Sequence, residues 1–241
     1  MPRYFLELAY KGTAYSGFQV QDNVVTVQSE VEKALQTVLR IPVALTGSSR
    51  TDAGVHALQN YFHFDFPHEI APRLLYNINA VLPPDIVAKS LKQVADDAHS
   101  RFMATSREYR YHIYREKDPF LNDRAWFFPY KLELSLLNEA AGVLKEYKDF
   151  TSFSKRNTQV KTFICDIQYS QWHEHDNQLI YEVKANRFLR GMVRGLVATM
   201  VRVGRGSMTI DEFRGVIEAK DCSKADFAAP GAGLFLVRVN Y

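Results

Sequence analysis

The sequence predicts a mixed α and β protein, and three stretches carry that prediction. Tyr4-Phe5-Leu6-Glu7-Leu8-Ala9-Tyr10 is dense in aromatic and aliphatic residues and stops at Lys11-Gly12-Thr13, the composition of a strand and its turn. Behind Thr26, a residue suited to capping a helix, Val27, Val31, Ala34, Leu35, Val38 and Leu39 recur at helical spacing. Asn60-Tyr61-Phe62-His63-Phe64-Asp65-Phe66 has the alternation of a strand with one wet face. With 241 residues the chain makes one large domain or two small ones, long enough to bury a core.

Taken in order, the first strand leads into Ala14-Tyr15-Ser16-Gly17-Phe18-Gln19-Val20-Gln21, rich in aromatics and amides. The helix after Thr26 runs to about Arg40, and Pro42 prevents its continuation. Val43-Ala44-Leu45 reads as a strand, followed by a polar loop over 47–57 and the alternating strand over 60–66. Loop and a short helix around 73–78 precede a strand at Ile86–Val94. A polar crossing at 96–102 leads to a strand over 106–115, with Tyr109, Tyr111 and Ile113 on one face and Arg110, His112 and Tyr114 on the other. After an aromatic connection over 118–130, Ser135 is expected to cap a helix reaching about Tyr147. A loop follows, with basic Lys155 and Arg156. Strands over 163–172 and 179–185 are joined through His173-Glu174-His175-Asp176-Asn177, where a polar hairpin end explains the histidines better than a metal. A helix over 186–203 with Gly204 as its stop, a second opened by the capping box Thr209-Ile210-Asp211-Glu212, and a strand over 233–239 complete the chain.

The totals bound the function. A 46% hydrophobic and 24% charged chain with a net charge of only +3 is an ordinary globular composition, so the distribution of charge matters more than its sum. Cys165 and Cys222 lie far apart, against a zinc site or a disulfide scaffold and in keeping with a reducing cytoplasm. No signal-peptide core follows Met1 and no apolar run approaches the ~20 residues of a membrane span. The expectation is a soluble protein of the cytoplasm.

Three features carry chemistry. The loop Gly47-Ser48-Ser49-Arg50-Thr51-Asp52-Ala53-Gly54-Val55-His56-Ala57 sets one acid and one base among small residues. Arg50, two positions before Asp52, favours an ionised carboxylate, a nucleophile or general base on a held loop. An Asx-turn acid paired to a structural arginine is the competing reading. In the helix over 186–203, Arg187, Arg190, Arg194 and Arg202 fall within an arc of roughly 120°, a concentration of like charge that an anionic partner relieves. Aromatics interleaved with Arg110 on the strand over 106–115 suit base stacking and phosphate binding, as they suit a half-buried strand.

Gly47 to Ala57 closely resembles the catalytic signature of the tRNA pseudouridine synthase A family, an Arg-Thr-Asp-x-Gly-Val-His-Ala run. Further segments resemble the family in order along nearly the whole chain. They are the N-terminal Tyr-Gly-aromatic segment, where Lys11 and Phe18 depart from the common Asp and Trp; the segment around Arg101, a usually basic position; Arg107-Glu108-Tyr109-Arg110-Tyr111; Ala185-Asn186 with Phe188, Met192, Val193 and Arg194; and Gly233-Leu234-Phe235-Leu236. The resemblance implies a pseudouridine synthase fold of the α+β class: two similar halves, each a mainly antiparallel sheet backed by helices, with the active cleft between them. The halves are expected at 1–104 and 105–241, although no internal repeat is visible in the sequence. The implied reaction isomerises uridine to pseudouridine in the tRNA anticodon stem-loop, at positions 38–40, with no cofactor and no metal.

By the same resemblance Asp52 is the catalytic residue, Arg194 pairs with its carboxylate, Tyr109 and Leu234 sandwich the uracil, and Arg50 fills the space the flipped base leaves. Arg187, Arg190, Arg110 and Arg101 are candidates for the RNA backbone, and the partners implied are tRNA and a second copy of the chain. Two other readings stand beside this one. A catalytically silent tRNA-binding or chaperone module needs the basic residues but not Asp52. A two-carboxylate glycosidase needs a second acid near Asp52, for which Glu7, Asp65 and Asp85 do not stand out.

Overall fold

The computed structural model describes residues 1–156 and 160–241. In chain order its elements are β1 (Arg3–Tyr10), α1 (Val27–Leu39), β2 (Thr46–Gly47), β3 (His56–Asp65), α2 (Leu74–Val81), β4 (Ile86–Val94), β5 (Ser106–Tyr114), β6 (Trp126–Phe127), α3 (Leu134–Val143), β7 (Ile167–His175), β8 (Gln178–Ala185), α4 (Met192–Gly204), α5 (Ile210–Glu218) and β9 (Leu234–Asn240). Helices and mainly antiparallel strands make this the α+β class that the sequence predicts. The chain divides into two compact units, Met1–Thr105 with Phe235–Tyr241, and Ser106–Leu234.

In the first unit β1 lies between β4 and β3, antiparallel to both, and β9 adds to β3 in parallel. The period-2 pattern of β1 is complete: Tyr4, Leu6, Leu8 and Tyr10 are buried and their neighbours are not. The α1 N-terminus is a capping box in which the Ser29 amide donates to Thr26 Oγ1 at 3.2 Å and the Thr26 amide donates to Ser29 Oγ at 3.0 Å. Val27, Val31, Ala34 and Leu35 form its buried face. The helix ends before Pro42 acts, because Arg40 turns to the left-handed region at φ 62.

Two expectations fail here. Val43-Ala44-Leu45 is not a strand, because both polar groups of the Leu45 backbone are taken by α1 side chains: Glu32 Oε1 accepts from its amide and Gln28 Nε2 donates to its carbonyl, each at 2.9 Å. The strand is the two-residue β2 that follows, pairing Thr46 with His63 and Gly47 with Phe62. At the other end, β3 already begins at His56, so the polar loop spans only 48–55.

β2 is also held from the far side. Ser100 Oγ donates to the Thr46 carbonyl at 3.0 Å, and the Ser100 amide donates to His63 Nδ1 at 3.3 Å. Burial, with lesser contributions from His99 and Arg3, lowers the His63 pKa from 6.5 to about 4. Above pH 6.5 folded and unfolded chains are both neutral at this site and the stabilisation is complete. As pH falls from 6.5 toward 4, the unfolded chain takes up a proton that the folded one refuses, and stability is lost. We expect a loss of roughly 2 kcal/mol after solvent screening. Urea unfolding of wild type and His63→Gln between pH 7.5 and 4.5 checks it; an identical pH slope in both proteins contradicts it.

In the second unit β8 pairs antiparallel with β5 and β7, and β6 adds two residues in parallel to β5. Trp172 stacks on Tyr181 at 5.0 Å in the core. The β7–β8 turn is only Asp176-Asn177, both at positive φ (48 and 60), which matches strand twist in a two-residue hairpin. His173 to His175 are therefore strand residues rather than hairpin end. Helix α3 begins at Leu134, one residue before the expected cap Ser135, because the Glu133 amide is held by the Gly204 carbonyl at 2.9 Å.

The basic helix is the largest correction. It runs from Met192 to Gly204, not from 186, so Arg187 and Arg190 lie outside it and the four-arginine stripe does not exist as a helical face. Asn186 is bound through its amide and side chain to Asp166, its carbonyl accepts from Arg107 at 3.0 Å, and the Arg190 carbonyl accepts from Lys155 at 3.0 Å. Gly191 then turns at φ 72 to start the helix. Gly204 is the last helical residue, and the chain reverses at Gly206 (φ 72).

Candidate active site

Three of the expected site residues, Asp52, Arg50 and Arg101, belong to the first unit; Tyr109, Arg110, Arg187, Arg190, Arg194 and Leu234 belong to the second.

In the first unit the loop over 48–55 leaves β2 and returns into β3, and each of its ends is clamped. On the β2 side Ser48 is buried, with its amide on the Tyr61 carbonyl at 2.7 Å and its hydroxyl on Asn60 Oδ1 at 2.7 Å. Asn60, fully buried, donates from Nδ2 to the Ser49 carbonyl and to the Tyr10 hydroxyl, at 3.2 and 3.1 Å. The Tyr10 hydroxyl also meets Thr51 Oγ1 at 2.9 Å, and burial pushes its pKa up to about 12, so it stays protonated in that network. The Thr51 carbonyl accepts from Phe18 at 3.1 Å, and Phe18 is itself fixed through its carbonyl by Gln28 at the start of α1.

On the β3 side the Val55 amide closes a turn onto the Asp52 carbonyl at 3.1 Å, with Gly54 at φ 76 supplying the left-handed position. The Gly12 amide donates to His56 Nδ1 at 3.0 Å, which leaves the imidazole proton on Nε2, and the His56 ring stacks on Phe235 at 4.5 Å. Asp52 is thus held between anchored neighbours with its own side chain half-buried. Arg50 is exposed, and with Arg101 it lines one pocket of about 350 Å³.

In the second unit Tyr109 is buried in β5, with the Phe188 ring edge-on at 5.0 Å. Arg194 stands in the first turn of α4, half-buried, its Nε donating to the Ala229 carbonyl at 2.6 Å. Tyr111 donates to the Pro230 carbonyl at 2.8 Å and packs on Gly233, where a Cβ would meet its ring at 2.7 Å. The segment leading into buried Leu234 is therefore fixed by Arg194 and Tyr111. Arg110 forms an ion pair with Glu182, its cross-strand partner, at 2.6 Å. Arg187 is half-buried and Arg190 exposed. Among the described residues no group of three His, Cys, Asp or Glu has the arrangement of a metal site, and no helix is long and apolar enough to cross a membrane.

Sequence reasoning singled out Asp52 and missed the residues that hold its loop. Tyr10, Ser48 and Asn60 come from three separate stretches, and hydrogen-bond pairing over such separations leaves no periodicity in the sequence. Phe188 stands in a matched motif, but its packing on Tyr109 has no sequence signal.

A family model described as tRNA pseudouridine synthase matches residues 147–241. The tRNA pseudouridine synthase A of Parabacteroides distasonis is 46% identical, the alignment covering 100% of this chain and 96% of that protein. The same-named protein of Bacteroides thetaiotaomicron is 46% identical over 100% of this chain and 91% of its own, and that of Porphyromonas gingivalis 44% identical over 100% and 98%. Similarity of this degree, running from end to end through the Asp52 loop and the β5, α4 and β9 segments, makes the chain a member of the tRNA pseudouridine synthase A family.

Proposed function

We propose that this chain isomerises uridine to pseudouridine in the anticodon stem-loop of tRNA, at positions 38–40, with Asp52 as the nucleophile and no cofactor. The observation that carries the reading is Asp52 itself, half-buried on a loop clamped at Thr51 and Val55, within a chain that matches synthases over its full length.

The reaction is internally balanced. The bond between ribose carbon 1′ and uracil nitrogen 1 breaks, the uracil turns, and carbon 5 bonds to carbon 1′. Carbon 5 loses a proton and nitrogen 1 gains one. Such chemistry requires a nucleophile or base, exclusion of water, and walls that retain the free uracil. Asp52 attacks the ribose or the base; Arg194 keeps its carboxylate ionised and oriented; Tyr109 and Leu234 hold the two faces of the ring, with Tyr109 assisting proton removal. The target leaves its stack at a cost of roughly a few kcal/mol, and Arg50 occupies the vacated space. Arg101, Arg187, Arg190 and Arg110 meet the backbone, Arg110 by giving up Glu182.

Release of tritium from carbon 5 of uracil in an unmodified tRNA tests this directly. Release by the wild-type protein is the expected result; salt-sensitive binding of several tRNAs without release would restore the silent-module reading, which the names of the relatives do not favour. The enzyme works in the cytoplasm as a homodimer whose joined surfaces cradle one tRNA. Sedimentation at working concentration is expected to give twice the 27.7 kDa chain mass; a monomer mass contradicts it.

A further inference from the structure

The first unit holds a pocket that joins Arg50 and Arg101 to Phe18, Gln19, His99 and Phe102, which take no part in the chemistry at Asp52. Its volume is about 350 Å³, within the range of small-ligand sites. The floor is the buried ring of Phe18 against Gly47, where a Cβ would fall 2.3 Å from the ring, so glycine alone permits so close a floor. Arg50 and Arg101 supply two cations to the walls, and Gln19 an amide. At the rim Phe102 is 76% exposed, an aromatic face left in water.

The rim is a built structure. His99 Nδ1 accepts from the Arg101 and Phe102 amides at 3.1 and 3.4 Å, and the Met103 amide returns to the His99 carbonyl at 3.0 Å. The His99 ring lies 4.2 Å from the Phe102 ring, and the Arg101 guanidinium carbon 6.0 Å from it. The tight turn therefore presents one flat aromatic surface and one cation together, the pairing that single-stranded nucleic acid uses for a base and its phosphate.

We infer that this pocket is a nucleotide subsite for the substrate RNA, separate from the uracil to be isomerised: a base stacks on Phe102 and His99, and its phosphate lies on Arg101, leaving Arg50 to the role proposed above. The inference rests on the tRNA reading above. Its residue of discrimination is Phe102, which takes no part in the chemistry.

Filter binding and steady-state turnover with unmodified tRNA test it, comparing wild type, Phe102→Ala, Phe102→Trp and Arg101→Gln. Loss of one base stack is expected to weaken tRNA binding about tenfold to a hundredfold in Phe102→Ala. KM should rise accordingly with kcat within about twofold, since the contact is equal in ground and transition states. Phe102→Trp restores binding; Arg101→Gln weakens it and flattens the salt dependence by about one phosphate contact. Binding by Phe102→Ala within about twofold of wild type overturns the subsite while leaving the synthase reading intact. Wild-type protein that neither binds tRNA nor releases tritium overturns both. UMP titrated alone separates a strand from a free nucleotide: saturation as tight as that by tRNA overturns the assignment to RNA.

Discussion

Asp52→Asn is expected to eliminate tritium release from carbon-5-labelled tRNA, lowering turnover by roughly 10⁴-fold or more, the scale on which removal of a nucleophile acts. The substitution is isosteric. The Asp52 carbonyl still receives the Val55 amide, Gly54 still takes the left-handed position, and Thr51 remains bound by Tyr10 and Phe18. What disappears is the negative charge on which the proposed attack depends. Binding of tRNA, which draws on surfaces outside this one atom pair, is expected within about threefold of wild type. Measurement therefore splits the two functions: kcat falls and Kd does not. Turnover retained in Asp52→Asn would remove this residue from the mechanism and reopen the reading of it as a structural turn acid.

Gly12→Ala has the second largest effect, though it lies forty residues from the acid in sequence. A Cβ on Gly12 would stand 2.0 Å from the Val55 carbonyl oxygen and 2.6 Å from its carbon. Both are backbone atoms, so no side chain can swing away. The first strand's turn and the Asp52 loop must separate, breaking the Gly12 bond to His56 Nδ1 and straining the Asp52-to-Val55 turn. We expect turnover to fall by about a hundredfold, the penalty for displacing a catalytic group by ~1 Å. Overpacking of this kind costs about 1–3 kcal/mol of stability. Gly215→Ala is the control, since a Cβ there meets nothing within 4 Å. It lies within α5 and should hold activity while gaining up to about 1 kcal/mol. Kinetics and urea unfolding of both proteins check this; near-normal turnover in Gly12→Ala would show that the Asp52 loop does not depend on its contact with the first turn.

These two residues mark the boundary between what the chain announces and what it conceals. Asp52 is legible because its neighbours are: small residues, an arginine and a turn glycine form a local pattern. Element by element, where side chains alternate or recur at helical spacing and no tertiary hydrogen bond intervenes, the reading stands: β1, α1, β4, β5 and α5 follow from their own residues, because burial of one face imposes a period. The errors fall where a tertiary hydrogen bond outweighs that period. Helical spacing continues back from α4 through Leu189 to Arg187, yet Asp166, Arg107 and Lys155 hold that backbone open, and two arginines leave the helix. Val43 to Leu45 are apolar enough for a strand, yet Glu32 and Gln28 take the hydrogen bonds of Leu45.

By itself the sequence determined the class of fold and the family and singled out Asp52 as the candidate nucleophile, since all three rest on local patterns read in order. Only the tertiary structure decided that Tyr10, Ser48 and Asn60 hold the acid's loop, that Gly12 must lack a side chain, and that Phe102 faces water beside two arginines. The physical reason is the same for each: a hydrogen bond, a close approach or a pocket belongs to pairs of residues brought together by folding, and no single stretch of chain carries it.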